Sequence, residues 1–528
     1  MSEDDRIEPR LARSSLGQAR PGIAEAQLAA TALAPGLDGM GFTYRHDWGS
    51  RHGEWLLRLN WADLSARSQV FVAVGEGMPG GRDEGKFIGG ARYTVHNVAP
   101  RAGGVDIWVS IDWNEDIPLF VDYLVVNPAN PPTRTVQVTV QRHASVALSE
   151  ADADRILADM GSTLQNADSG TDVATRVRFV RDGAVKVLPA TIAASIQTEA
   201  QLLDLLNAGT GIKLVQAIRW CGGPGGSIIG CAPLGSPTVN VAAVRFTPDQ
   251  EGILWVHEYG HNAGIGHRAD ERRAVMYPSI GSDHNVVNDA ESERFLAGPV
   301  TLAGVGSVMP ACACEVEGID APADVRDFVT RHWIEGIPYE LASQYTENDA
   351  RLLLQWLVDE PERHDEFLPE IVTTLCFIAS PAAVEPLLDF VRSARAGRAA
   401  FNARHAVLIH LGDLVNRSGS QAALDFLTLV ATGSETAIAL AKAQVANAAA
   451  AAELAARGVD QLAAELAVSA TFGLALAATP AAQQTIDALR DAPDAVDAVR
   501  QAAAEAAKLC RTVRAQGQKA YYRAKSAR

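Results

Sequence analysis

The chain is poor in several things at once, and each shortage excludes a class of protein. Six cysteines in 528 residues cannot staple a chain of this length, so burial of apolar side chains has to hold it together. Basic residues are the minority, with 46 Lys and Arg against 63 Asp and Glu and a formal charge of -17. That balance excludes a general nucleic-acid binder, whose affinity comes from neutralising phosphates. No uninterrupted apolar stretch reaches the roughly 18 residues that a membrane-spanning helix needs, so no membrane span is expected. Residues 1–20 mix acidic and Arg residues without an apolar segment ending in a small-residue cleavage site. A standard secretory signal is therefore missing, which points to the cytoplasm or to export by a non-standard route. A G-x-S-x-G elbow for a nucleophilic serine is also missing.

What is present has a globular balance, 48% hydrophobic and 21% charged, in a chain too long for one ordinary core. The sequence divides into a loose tail over 1–40, a β-sandwich over 41–148, an α/β region over 149–320 and an all-α region over 321–528. In the second of these, short β-branched and aromatic runs recur between turn signals, and 105–111 alternates apolar with polar, as strands of an antiparallel sandwich do. Five of the nine Trp fall there, where a core role is the ordinary one and a carbohydrate-binding role the alternative. Ser149 followed by Glu150 and Asp152 marks a capped helix that opens the third region. Beyond 321, helical patterns follow one another with few strand signals. The echo of 388–391 at 424–427, and of Ser380-Pro381 at Thr479-Pro480, resembles helical hairpin repeats of the HEAT kind, a surface for protein contacts. The echoes do not share a period, so an irregular bundle is the other reading. Seven basic residues and no acidic ones between Lys508 and Arg528 read as a solvated helix end.

Among the cysteines, only Cys221 and Cys231 flank a loop that could close easily, and they are the candidate disulfide. Cys312 and Cys314, one residue apart, are badly placed to bond each other, and Cys376 reads as a buried thiol.

One segment carries chemistry: His257-Glu258-Tyr259-Gly260-His261-Asn262-Ala263-Gly264-Ile265-Gly266-His267. It matches H-E-x-x-H-x-x-G-x-x-H at every fixed position. Residues four apart share a helix face, so His257 and His261 can present imidazole nitrogens to one ion. Gly264 allows a left-handed turn that ends the helix and returns the chain, bringing in His267. Three neutral nitrogens suit one catalytic zinc ion and leave its fourth position to water. Glu258 is the expected general base, taking a proton from that water and returning it to the leaving amine. A lone helical histidine is ordinarily a core or surface residue, but chance yields the whole pattern only on the order of once in 10,000 such chains. Thr247-Pro248-Asp249-Gln250 predicts a helix start near Thr247, and Met276, in Ala274-Val275-Met276-Tyr277-Pro278, supplies a tight apolar turn beneath the metal.

On these residues the stretch of about 149–300 resembles a metzincin zinc endopeptidase, with a Met-Tyr-Pro turn similar to that of the matrixin branch. The resemblance implies that His257, His261 and His267 hold the zinc and that Met276 forms the turn. It further implies that Tyr277, Pro278 and Ser279 wall the pocket for the substrate side chain after the cut bond. Substrate would pair along 238–246, the strand before the zinc helix. The resemblance fails in one respect. The first cysteine is Cys221, inside the catalytic region, so an N-terminal cysteine cannot block the zinc and any latency needs another group. Asp270 and His284 read as loop residues that could at most orient a ligand.

The fold expected is therefore multidomain: an N-terminal antiparallel β-sandwich, a central α/β metzincin-like catalytic domain and a C-terminal helical repeat or bundle. The function expected is peptide-bond hydrolysis in protein or peptide substrates. The alternative is a helical-repeat interaction scaffold with an idle or structural zinc site, and a hydrolase of non-protein amides is a third reading.

Overall fold

A computed structural model describes residues 22–27, 41–61, 64, 68–78, 85–101, 103–126, 134–164, 166–167, 176–301, 319–359, 364–395, 397–446, 454 and 457–526. The chain forms two compact units, Met1–Pro132 and Thr133–Arg528.

The first unit is β-rich. One four-stranded sheet runs in the order Gly22–Gln27, Gly53–Asn60, Gly104–Asp112, Arg92–Arg101, and a second in the order Gly41–Arg51, Ile117–Val126, Gln69–Gly77, Lys86–Phe87. Leu57, Leu59, Val105, Ile107, Val109 and Ile111 of the first sheet bury against Leu119, Val121, Tyr123 and Val125 of the second, in one core. The alternation read at 105–111 is the alternation of that buried face, as the two-residue period of a strand requires. Two details differ from expectation. The strand Gly22–Gln27 lies within the stretch read as a tail, and it pairs in parallel with Gly53–Asn60, so the sheets are not wholly antiparallel. Trp48 and Trp61 are buried, whereas Trp113 is exposed.

The second unit joins an α/β part to a helical part. Five strands form a sheet in the order Lys186–Val187, Val140–Arg142, Gly211–Val215, Asn240–Val244, Gly230–Cys231. All pair in parallel except the last, which runs antiparallel to Asn240–Val244. Gly211–Val215 is buried along its whole length, the signature of a strand covered on both faces. The residues from 135 to 140, grouped with the sandwich on sequence, lie in this unit, because Arg134–Val138 pairs with Val177–Arg181 and Val140–Arg142 with Gly211–Val215. Helix Glu150–Thr163 begins at Ser149, whose hydroxyl accepts the Asp152 N–H at 3.0 Å.

The helical part is built around Arg398–Ser418 and Val459–Ala477, which pack on each other. Leu368–Ile378 packs on the first and Asp497–Gln516 on the second. The echoed Ser380 and Thr479 each cap a helical turn through the side-chain oxygen. Among the described residues, only Val459–Ala477 by itself is long and apolar enough to cross a membrane, and most of it is buried inside the protein. One apolar core runs without a break from Val215, Ile218 and Trp220 of the α/β part into Leu408, Leu427 and Leu466 of the helices. Polar contacts cross the same boundary: Gln197 Nε2 donates to the Glu465 carbonyl at 2.9 Å, and Arg398 to that of Gln216 at 2.9 Å.

Candidate metal centre

The helix that carries the first two histidines is Glu251–Asn262, and all twelve of its residues are buried. It starts later than Thr247. Residues 248–250 form a turn in which the Gln250 and Glu251 N–H groups both donate to the Thr247 carbonyl. Glu251 itself secures this end, its carboxylate accepting the Phe246 N–H at 3.2 Å and pairing with Arg245 at 2.5 Å. A negative group there also suits the positive end of the helix dipole. At the other end Gly264 has φ +77°, the Gly264 N–H donates to the His261 carbonyl at 2.9 Å, and the Ile265 N–H reaches the Gly260 carbonyl at 3.0 Å. This left-handed exit turns the chain back and delivers His267.

The three imidazoles converge. His257 Nε2 lies 3.1 Å from His261 Nε2 and 3.2 Å from His267 Nε2, and the trio could hold a metal ion. Two of the rings are aimed by backbone carbonyls: His257 Nδ1 donates to Val275 O at 2.8 Å and His261 Nδ1 to Ile265 O at 2.9 Å. A carbonyl can only accept, so each Nδ1 carries the proton and each Nε2 keeps its lone pair for the centre. Burial holds His257 and His267 well below the ordinary imidazole range, aided by the neighbouring imidazoles, and pushes His261 down to about 4. All three therefore stay neutral, the form that ligates.

Glu258 is buried, and its carboxylate rests against Gly230, where a Cβ would collide with Oε1. Met276 is buried against the histidine helix at Gly260, a position where a side chain would strike its sulfur. The turn around Met276 is tied to the ligand loop, since the Arg268 N–H donates to Met276 O at 2.8 Å and the Arg268 side chain pairs with buried Glu291 at 2.9 Å. Tyr277 is buried with its ring against His284, Pro278 lines a cavity with His267, and Ser279 lies in the short strand Ser279–Ile280. Asp270 orients none of the three histidines. It is exposed and pairs with Arg268 at 2.9 Å. Cys221 and Cys231 are joined by a disulfide that ties the outer strand of the sheet to the turn between strands Ala217–Trp220 and Pro224–Ile228. Cys312 and Cys314 lie outside the described residues.

The position expected for substrate pairing changes. Asn240–Val244, within the stretch 238–246, is an interior strand hydrogen-bonded on both sides, so it has no edge to offer. The edge belongs to Gly230–Cys231. One residue near the centre had no signal in the sequence: Glu335, buried, with Oε1 3.9 Å from His261 Nε2 and grouped with Glu258 and His261 as a second set able to hold a metal. It comes from a distant stretch with no recognisable spacing to the histidines.

No family model matches the chain, and no curated protein matches it either.

Proposed function

We propose that the chain is a zinc-dependent endopeptidase that hydrolyses peptide bonds of protein substrates. The observation that carries this reading is the convergence of three neutral Nε2 atoms, 3.1 and 3.2 Å from His257 to its partners, beside the buried carboxylate of Glu258. Nitrogens held about 2.0–2.1 Å from a tetrahedral zinc ion stand about 3.4 Å apart, so the two spacings from His257 match that ion to within a few tenths of an ångström. Zinc held there supplies the positive charge that acidifies water and polarises a carbonyl.

The chain's own residues do the rest. His257, His261 and His267 hold the ion in neutral form. Glu258 accepts the proton of the attacking water and passes it to the departing amine, so that atoms and charge balance without an acyl-enzyme. A nucleophilic thiol is not required, and among the described residues the free cysteines, Cys376 and Cys510, are buried. Tyr277, Pro278 and Ser279 wall the side-chain pocket, and Gly230–Cys231 offers the edge for an extended substrate.

Metal content and cleavage of a peptide library, measured for the chain and for Glu258→Ala, test the reading. Both proteins should hold about one zinc, with all cleavage confined to the chain that keeps Glu258. Cleavage by Glu258→Ala as fast as by the parent chain, both above background, would overturn it. The competing reading, an interaction scaffold with a structural metal, draws support from Glu335, since a fourth protein ligand is what separates a structural site from a catalytic one. The two readings part on whether Glu335 can leave.

A further inference from the structure

The histidine centre is covered from within the chain. The strand His332–Trp333 pairs antiparallel with Ser279–Ile280. The next residue continues the pairing on both flanks: the Ile334 N–H donates to Pro278 O at 3.0 Å, and the Ile334 carbonyl accepts from the N–H groups of Ile229 at 2.8 Å and Gly230 at 3.3 Å. Residues 332–334 thus lie in the slot between the sheet edge and the pocket wall, hydrogen-bonded as an extended peptide would be. Trp333 and Ile334 are buried there.

Glu335 follows, with its side chain 3% exposed and Oε1 3.9 Å from His261 Nε2. Ligand atoms around a tetrahedral ion stand about 3.3–3.4 Å apart, so Oε1 is within about 0.5 Å of ligand spacing from His261, and with Glu258 and His261 it forms a second group able to hold a metal. The space left is small. The cavity bordered by His267, Pro278, Glu335 and Tyr522 has a volume of about 40 Å³, enough for about one water and not for a peptide.

Two features make the cover removable in principle and held in practice. Gly336 has φ +98°, a backbone state that glycine alone adopts easily, so the chain bends sharply just after Glu335. Past the bend, Tyr339 stacks on Tyr522 with ring centres 4.5 Å apart and its hydroxyl donates to Gln518 at 3.1 Å, while Glu340 pairs with Arg523 at 2.6 Å. The C-terminal helix Gln518–Ser526 therefore clamps the segment.

We propose that 332–336 is an internal strap lying in the substrate cleft, with Glu335 as a further metal ligand that closes the fourth position, so that the chain in this conformation is latent. This rests on the zinc-peptidase reading, and it assigns the regulation of that site. Activity then requires the strap to leave, which places control with whatever loosens the C-terminal helix.

The test uses the full chain loaded with cobalt(II), whose visible bands report its ligands, titrated with acetohydroxamate as a probe of an open metal position. Wild type, Glu335→Ala and the shape-conserving Glu335→Gln are compared, the last serving if the alanine variant does not fold. The expected result is probe binding at least about tenfold tighter in the variants than in wild type, together with zinc loss to a chelator at least about tenfold faster. Equal probe affinity in all three overturns the strap. Peptide cleavage is read on Glu335→Gln with Tyr339→Ala added, which removes the stacking on Tyr522 that holds the strap down. Probe uptake without cleavage there supports the strap while overturning the peptidase reading, so the two failures are told apart.

Discussion

Gly230 and Glu258 are packed so closely that no side chain fits on Gly230 without displacing the carboxylate of Glu258. The sheet edge and the Glu258 carboxylate are therefore positioned by one contact, which explains why the edge strand carries a glycine beside its disulfide-bonded Cys231. Gly230→Ala should keep its zinc and lose turnover by about a hundredfold, the cost of misplacing a reacting group by about 1 Å. Metal analysis beside kcat, both on the Glu335→Gln, Tyr339→Ala background that frees the strap, separates this from loss of the metal. Unchanged kcat would show that Glu258 is free to shift.

Glu258→Gln keeps the volume of the side chain and removes the base. Turnover is expected to fall by about 100- to 10,000-fold with zinc content unchanged, read as kcat on the same background. A fall in zinc content of similar size would instead make Glu258 a metal ligand.

Acid should destabilise the metal-free protein through its buried imidazoles. Burial, the largest cause, holds His261 at about 4 against an ordinary 6.5. Between those values the unfolded chain binds a proton that the folded chain does not, so stability falls as pH falls through that window. For His261 the full loss is on the order of 3 kcal/mol. Urea unfolding of metal-free protein at about pH 7 and about pH 4.5 measures it, with His261→Gln expected to lessen the dependence and His257 and His267 to keep the rest.

The helical part depends on a glycine-to-glycine crossing. A Cβ on Gly412 would run into the carbonyl of Gly473, and one on Gly473 into that of Leu408, which lets Arg398–Ser418 and Val459–Ala477 approach closely. Gly412→Ala should lower stability by about 1–3 kcal/mol through overpacking, seen as a lower denaturation midpoint. Because one core spans these helices and the α/β part, metal release should accompany that transition.

The candidate site was largely legible in the sequence where its geometry is local. His257 and His261 are one helical turn apart, and Gly264 reverses the chain three residues later, so spacing alone implies a shared ion. Met276 was legible for a similar reason, because a short loop confines it near His267. The helix start was misplaced at Thr247, since Pro248 and Asp249 suit a first turn equally well whether or not the helix follows directly. The actual start is held by Glu251 and two arginines from elsewhere, Arg245 and Arg155.

Strand order was not legible at all. Residues 238–246 and 230–231 are both apolar and short, and only the hydrogen-bonding partners on either side make the first interior and the second an edge. Glu335 is the sharpest case, because its place beside His261 follows from the pairing of His332–Trp333 with Ser279–Ile280, a contact that no local pattern announces. The sequence by itself determined the grouping of His257, Glu258 and His261, since a helix of 3.6 residues per turn puts them together wherever it lies, and Gly264 added His267 through its turn. Only the tertiary structure decided what faces them, because contacts between distant segments are set by which surfaces pack and leave no periodicity in either segment.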